Sequence, residues 1–357
     1  MKKAAALLLV CAGLASLMSC AATVSSYLYA ALPDANQIDV FREDPNSGVL
    51  TVLAGSPYTA GDAVHAVVVH PSRKFLYAAN GGENDISLFA ISNGNLTEVG
   101  QRTTAGTTPE FIAMDSGGSH LYVANVGSNN ISIFSIDATS GALSQVPNSP
   151  FQVGMSPTGM VLAPSGNALY IIGASTEPGS LEVMSLTNGV PISNNPIIQV
   201  AQTGVNPTSI AVTPNGSFLY TANTTDNSIS EFMVNSDGSL HTPAQVFFQA
   251  ANYSAPVALQ VDNSGKFLFV ANKTSNNVAG YSVDTDGGLT ILISSPFPTN
   301  AQPIALATDP KGQYLFVANL SNPAIESFTL DTANGTLIYV ASYRIGGNSA
   351  SSLAVSN

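Results

Sequence analysis

Apolar residues come in short bursts along this chain, many alternating with polar ones, and clusters of Gly, Pro, Asn or Asp end each burst. The stretch from Pro207 shows the pattern. Ser209-Ile210-Ala211-Val212-Thr213 is small and apolar and reads as an inner strand. Pro214-Asn215-Gly216-Ser217 is a tight turn, and Phe218-Leu219-Tyr220-Thr221-Ala222-Asn223 a second strand. A polar loop over Thr224 to Asn227 leads into Ser228-Ile229-Ser230-Glu231-Phe232-Met233-Val234, which alternates with period two. After the turn Asn235-Ser236-Asp237-Gly238 a fourth strand opens at Ser239-Leu240. A strand shows successive side chains to opposite faces, and the bounding residues accept tight backbone turns, so the pattern predicts β-hairpins. Beyond the N-terminal segment no stretch carries the spacing of an amphipathic helix.

The unit recurs. Leu28, Leu76, Leu121, Leu169, Leu219, Leu268 and Leu315 each stand before an aromatic residue and two small or apolar ones, 45 to 50 residues apart. In five copies the phrase ends in Asn: Asn80, Asn125, Asn223, Asn272 and Asn319. Four strands in a repeat of this length make a propeller blade, whereas an open β-solenoid needs a shorter period. Seven copies predict an all-β, seven-bladed β-propeller over residues 27–357. The first copy lacks an inner strand, and the chain ends on Ser351-Ser352-Leu353-Ala354-Val355-Ser356, which matches Thr208 to Thr213. The C-terminal strand is therefore expected to complete blade one and close the ring, leaving no blade unpaired.

Charge narrows the partners. Net charge is −12, with only 10 Lys and Arg among 357 residues, a surface that repels nucleic-acid phosphates. The N-terminus reads as an export signal over residues 1–19. Lys2 and Lys3 precede an apolar run, Ala4 to Leu17, too short for an ordinary membrane span. It ends in Leu17-Met18-Ser19-Cys20, which resembles a bacterial lipobox; in that reading Cys20 is acylated and becomes the new N-terminus. Cleavage as an ordinary signal peptide is the alternative. Cys11 leaves with the signal, so Cys20 has no disulfide partner. Two or more acyl chains hold a protein stably on a membrane, and the linker Ala21 to Ser26 spans at most about 20 Å. Ala21 stands where an inner-membrane retention signal has Asp, which favours the outer membrane. A monomer with no cofactor is expected.

The blade phrase, Pro207 to Asn223 followed by Asn227 to Val234, resembles that of the bacterial lactonase family of seven-bladed propellers. That family includes 6-phosphogluconolactonase and is similar to fungal muconate-lactonizing enzymes. The resemblance spans essentially residues 27–357 and implies the fold. For activity it implies hydrolysis of a cyclic ester, by polar residues around the central channel. Enzymatic members often open an inner strand with Pro-His-x-His, and this chain has no such motif.

The blade openings point to a mouth. His65, Glu110, Thr158, Thr208 and Ser351 fall at the starts of inner strands, where a funnel is expected, ringed by Asn80, Asn125, Asn223, Asn272 and Asn319. Among these openings only His65 and Glu110 bring titratable groups. A His beside a carboxylate is a usable base for activating water on a lactone carbonyl. The Asn residues read either as ligand-facing amides or as strand-end residues bonded to backbone. His70, His120 and His241 neighbour no further ligand in sequence, so no metal site is assigned. The turns at Asp137, Asp284 and Asp331 read as hairpins with a left-handed Gly rather than calcium loops. Lys74, Lys266 and Lys311 fall in turns on the face opposite the mouth, which disfavours a phosphorylated substrate. The leading reading is a lipid-anchored envelope propeller binding a neutral carbohydrate, peptide or protein through this funnel. The alternative is a lactone hydrolase with His65 as base and Glu110 as its partner.

Overall fold

The computed structural model describes residues 26–173, 178–248 and 253–356. The expected signal segment, Cys20 and the expected linker up to residue 25 lie outside these residues. Every regular element described is a β-strand, and the strands group into seven antiparallel sheets. The inner strands are Ser352–Ser356 in blade one and then, in blades two to seven, Val64–Val69, Pro109–Met114, Pro157–Leu162, Pro207–Val212, Pro256–Val261 and Pro303–Thr308. Each touches the next around a closed circle. The chain is therefore the seven-bladed propeller that the repeat predicts.

Closure follows the expected route. Ser352–Ser356 pairs antiparallel with Ser26–Leu32, Tyr29 facing Ala354, so the two ends of the chain share blade one. Ser26 adds a bond from its hydroxyl to the Ser356 carbonyl at 2.5 Å. One boundary differs from the sequence reading. In blade five Leu240 makes only an isolated bridge to Val234, and the fourth strand is Gln245–Phe248. In four blades the outer position is split into two short strands on the same partner, as with Leu143–Gln145 and Phe151–Gln152 against Asn130–Ile136.

The repeated aromatic residue explains the stacking of blades. Tyr29, Tyr77, Tyr122, Tyr170, Tyr220, Phe269 and Phe316 are all wholly buried in the second strands. Four of the tyrosines reach into the next blade, donating to the carbonyls of Gly141, Gly189, Gly238 and Gly287 at 2.6 to 2.9 Å. These glycines end the outer hairpins at positive φ, as read for the turns at Asp137 and Asp284. Phe316 has no hydroxyl to offer, and Ser327 in blade seven bonds the Gly48 carbonyl at 2.7 Å instead. Apolar stacking between blades gives the bulk of the stability, and these bonds fix how one blade seats on the next.

Candidate active site at the channel mouth

The inner strands do not pair evenly with their neighbours. In blades two to seven the register slips by one residue at the start of the inner strand, as where Val64 faces Asn80 but Ala66 faces Ala79. The residue left unpaired is His65, Glu110, Thr158, Thr208, Val257 or Ile304. A bulge of this kind re-aims a side chain and bends the strand locally. The residue just before the inner strand holds a left-handed backbone in five blades: Ala63, Thr108, Asn206, Ala255 and Gln302, with φ between 40° and 58°. Four of these are pinned by an Asn of the preceding blade. The amides of Ala63, Thr108, Ala255 and Gln302 donate to the side-chain carbonyls of Asn36, Asn84, Asn227 and Asn276 at 2.7 to 2.9 Å. Strained backbone persists only where its surroundings over-determine it, and here the neighbouring blade does so.

Half-buried His65 and Glu110 line one cavity of about 310 Å³, with Ser351, Phe111 and Met160. A second cavity of about 230 Å³ shares Phe111, Met160 and Ser351 with it and extends under Thr208, Ile210, Leu259 and Leu306. The imidazole lies over Gly81. A Cβ on that glycine would come within 2.7 Å of His65 Cδ2 and 3.1 Å of Nε2. The other described blades carry a side chain at the equivalent place, such as Val126 after Asn125 or Thr224 after Asn223. Gly81 was not singled out from sequence, although it is the one glycine that directly follows a copy of the repeated Asn.

The hydroxyls of the mouth are tied to neighbouring blades. Thr158 Oγ1 donates to the Pro207 carbonyl at 2.5 Å, and Ser351 Oγ to the His65 carbonyl at 2.6 Å. Thr208 Oγ1 meets Thr224 Oγ1 at 2.7 Å, and Thr224 donates onward to the Pro256 carbonyl at 2.7 Å. These bonds satisfy backbone carbonyls at edges that no ladder covers. Of the openings singled out from sequence, the structure brings His65, Glu110 and Ser351 into one cavity and Thr208 and Ser351 into the adjoining one.

The expected ring of ligand-facing amides is corrected. Asn80, Asn125, Asn223, Asn272 and Asn319 have no accessible surface. Their amides turn back into the blade. Asn80 Nδ2 donates to Asp85 Oδ1 and Ser87 Oγ, Asn125 Nδ2 to Asn130 Oδ1 and Ser132 Oγ, and Asn223 Nδ2 to the hydroxyls of Ser228 and Ser230. Asn272 bonds Asn277 Oδ1, and Asn319 bonds Glu326 Oε2. Asn125 also accepts the Gly106 amide at 3.0 Å, joining its blade to the crossover into it. A buried amide with this many partners is a structural hub, and no ligand in the funnel reaches it.

Two of the remaining histidines, His70 and His120, take structural places on the opposite face. Buried His70 meets Ser72 Oγ through Nδ1 and the Gly118 carbonyl through Nε2, bridging blades two and three. His120 Nδ1 lies 2.9 Å from Asp115 Oδ2. Among the described residues no group of three His, Cys, Asp or Glu side chains is placed to hold a metal ion.

Comparison with known proteins agrees with the fold. The family model described as Lactonase, 7-bladed beta-propeller matches residues 27–156, 146–256 and 248–352. No curated protein matches the sequence. Among solved structures, a putative 6-phosphogluconolactonase from Bacteroides fragilis superposes with a TM-score of 0.78 at 20% identity, covering 94% of this chain and 98% of its own. A protein from Lactobacillus plantarum superposes with a TM-score of 0.80 at 17% identity, over 93% and 99% of the two chains. The periplasmic gluconolactonase of Pseudomonas aeruginosa gives 0.76 at 18% identity, over 94% and 99%. At such identities these likenesses speak for the fold.

Proposed function

The chain belongs to the lactonase family of seven-bladed β-propellers, and from that premise we propose that its channel mouth binds a small uncharged lactone and hydrolyses it. One observation carries the reading: the only two titratable side chains at the bulged openings, His65 and Glu110, line the same cavity. No Lys or Arg lines either cavity, which fits an uncharged ring better than a phosphorylated one. In the proposed reaction His65 takes a proton from water as the water oxygen adds to the lactone carbonyl carbon. The ring C–O bond then breaks, the departing oxygen takes that proton back from the imidazolium, and an open-chain hydroxy acid leaves. The Glu110 carboxylate opposes the charge on the imidazolium. General base catalysis contributes typically 10²- to 10⁴-fold, so His65→Ala should lower kcat by about a hundredfold or more and Glu110→Gln by about tenfold. Initial rates on a lactone panel measure both, and equal rates in parent and variants would reject the assignment.

A second reading keeps the funnel as a binding site without turnover. It is favoured by the hydroxyls of Thr158, Thr208 and Ser351, which are taken up by the Pro207 carbonyl, Thr224 and the His65 carbonyl and leave the mouth few free donors. In either reading we propose that Cys20 carries an acyl anchor at the cell envelope. The chain enters blade one at Ser26, paired with Glu43 at the end of the strands remote from Ala63 and the mouth. A tether there leaves the funnel facing away from the membrane.

A further inference from the structure

Among the described residues eleven large apolar side chains stand exposed, and they fall into two groups. Val49 and Val52 of blade one, Ile291 and Ile293 of blade six, and Ile338 and Tyr339 of blade seven lie on three consecutive blades of the ring. The others belong to blades four and five, away from that sector. Contacts between blades knit the first group into one rim. Ser294 Oγ lies 3.2 Å from Thr336 Oγ1, joining the outer edge of blade six to that of blade seven. The outer hairpin of blade one seats on blade seven, where Ser327 bonds the Gly48 carbonyl at 2.7 Å. Register sets the height of this rim. Leu50 faces Glu43, and Glu43 faces Ser26, so Val49 and Val52 lie near the level at which the chain enters. Ile338 faces Thr329, which faces Tyr314 at the start of Tyr314–Asn319, the end remote from the mouth. Ile291 faces Tyr281, which faces Leu268, one residue from the same end of Phe267–Asn272. The apolar rim and the entry of the chain thus share one sector and one face of the propeller. Only the six residues Ala21 to Ser26, at most about 20 Å, separate that entry from Cys20.

We infer that the rim of blades six, seven and one rests on a lipid surface, so that the propeller docks on the membrane instead of swinging free on its linker. The choice of partner rests on the proposed anchor at Cys20; it is independent of the proposed hydrolysis. A short tether makes a weak contact intramolecular, so a few partly buried side chains are enough. Aliphatic side chains gain by leaving water for the boundary of the acyl chains, and a Tyr ring suits the headgroup level. Charge points to uncharged headgroups. On this face of the three blades, exposed Arg42, Lys266 and Lys311 are opposed by Asp44, Asp284, Asp286 and Asp331, so no positive excess draws anionic lipid.

The chain has no Trp, so a single introduced one reports on its own surroundings. The protein, expressed from the full chain and processed by the cell, carries either Tyr339→Trp on the rim or Val200→Trp on blade four. Each variant is reconstituted in phosphatidylcholine vesicles with plain or brominated acyl chains, and flotation with the vesicles is measured beside Trp emission. Bromine should quench the Tyr339→Trp variant by about half or more, as for a ring lying roughly 5–10 Å into the interface, and leave the Val200→Trp variant unchanged. Adding Ile293→Ser and Ile338→Ser to the Tyr339→Trp variant should restore most of the emission while melting curves show the fold intact. Flotation with neither variant quenched means that the ring stands off on its linker; the anchor then holds and the inference is overturned. Equal quenching of both variants also overturns it, because the contact is then not confined to this rim. Quenching that the two serines leave untouched places the contact elsewhere and overturns it. So does quenching that needs added phosphatidylglycerol, which would make the contact electrostatic. Protein that does not float with the vesicles rejects the anchor and the inference together.

Discussion

Gly81 decides where His65 lies. Its φ is not in the left-handed region, so alanine adds no backbone strain there, but the new Cβ would meet the imidazole at 2.7 Å. Gly81→Ala is therefore expected to displace the base and lower kcat/KM ten- to hundredfold, about what a misplacement near 1 Å costs, with little change in melting temperature. Unchanged kinetics would mean that the ring does not work from this position. Burial gives a second prediction. Desolvation pushes the Glu43 carboxyl up to about 7, with the Ser26 hydroxyl pulling against it and Asp309 adding to it. The folded chain then keeps a proton that the unfolded chain releases above its ordinary range near 4.5. By linkage, this group's contribution to stability falls as pH rises from about 4.5 to 7. Glu43→Gln should remove part of that fall, seen as a smaller drop in melting temperature between pH 5 and pH 8 than in the parent. An identical drop would show that Glu43 ionises freely in the fold. At this scale His65 and Glu110 were legible because a titratable residue stood where other blades have Thr, Val or Ile. The Asn residues stayed open between a ligand-facing and a strand-end reading, because a strand-end amide looks the same in sequence whichever way it points. The discriminating signal lay seven residues on: Ser87, Ser132, Ser230 and Glu326 follow Asn80, Asn125, Asn223 and Asn319, and each receives the amide.

At the scale of elements, blade one exists only because the last strand joins the first. Removing residues 350–357 takes away the inner strand Ser352–Ser356 and leaves the edge of Ser26–Leu32 unpaired. It also removes the bond from Ser351 to the His65 carbonyl, so closure and mouth are linked. The truncated chain is expected to melt lower by roughly 10 °C or more, or to fail to accumulate folded. A melting curve superimposable on the parent's would contradict ring closure by this strand. The strands themselves were readable from alternation and turn residues, and so was closure, since the missing inner strand at one end reappeared at the other. The bulges were not. A one-residue slip leaves no mark in a pattern of alternation when the slipped residue is His, Glu, Thr, Val or Ile. It shows only once Asn36 or Asn84 is seen to bond the amide before the strand.

For the whole molecule, seven near-equal blades make the scaffold, and differences between blades make the site. His65 and Glu110 belong to blades two and three, the Val257 and Ile304 openings to blades six and seven, and the entry of the chain to the face opposite both. The proposed anchor is checked by fractionation: Cys20→Ser should move the protein from the membrane to the soluble fraction, and a variant still recovered with membranes would reject acylation at Cys20. Fold was legible at this scale because core and turn residues repeat it seven times. The proposed function was less so, because the residues assigned to it occur once each.

The most direct test of the account is the initial rate of lactone hydrolysis by the full chain and by its His65→Ala variant, on sugar and alkyl lactones, with melting curves of both. A rate that the parent shows and the equally folded variant loses by about a hundredfold is the predicted result. A parent with no turnover on any lactone, or a variant as fast as the parent, would contradict the assignment of the channel mouth as a hydrolytic site.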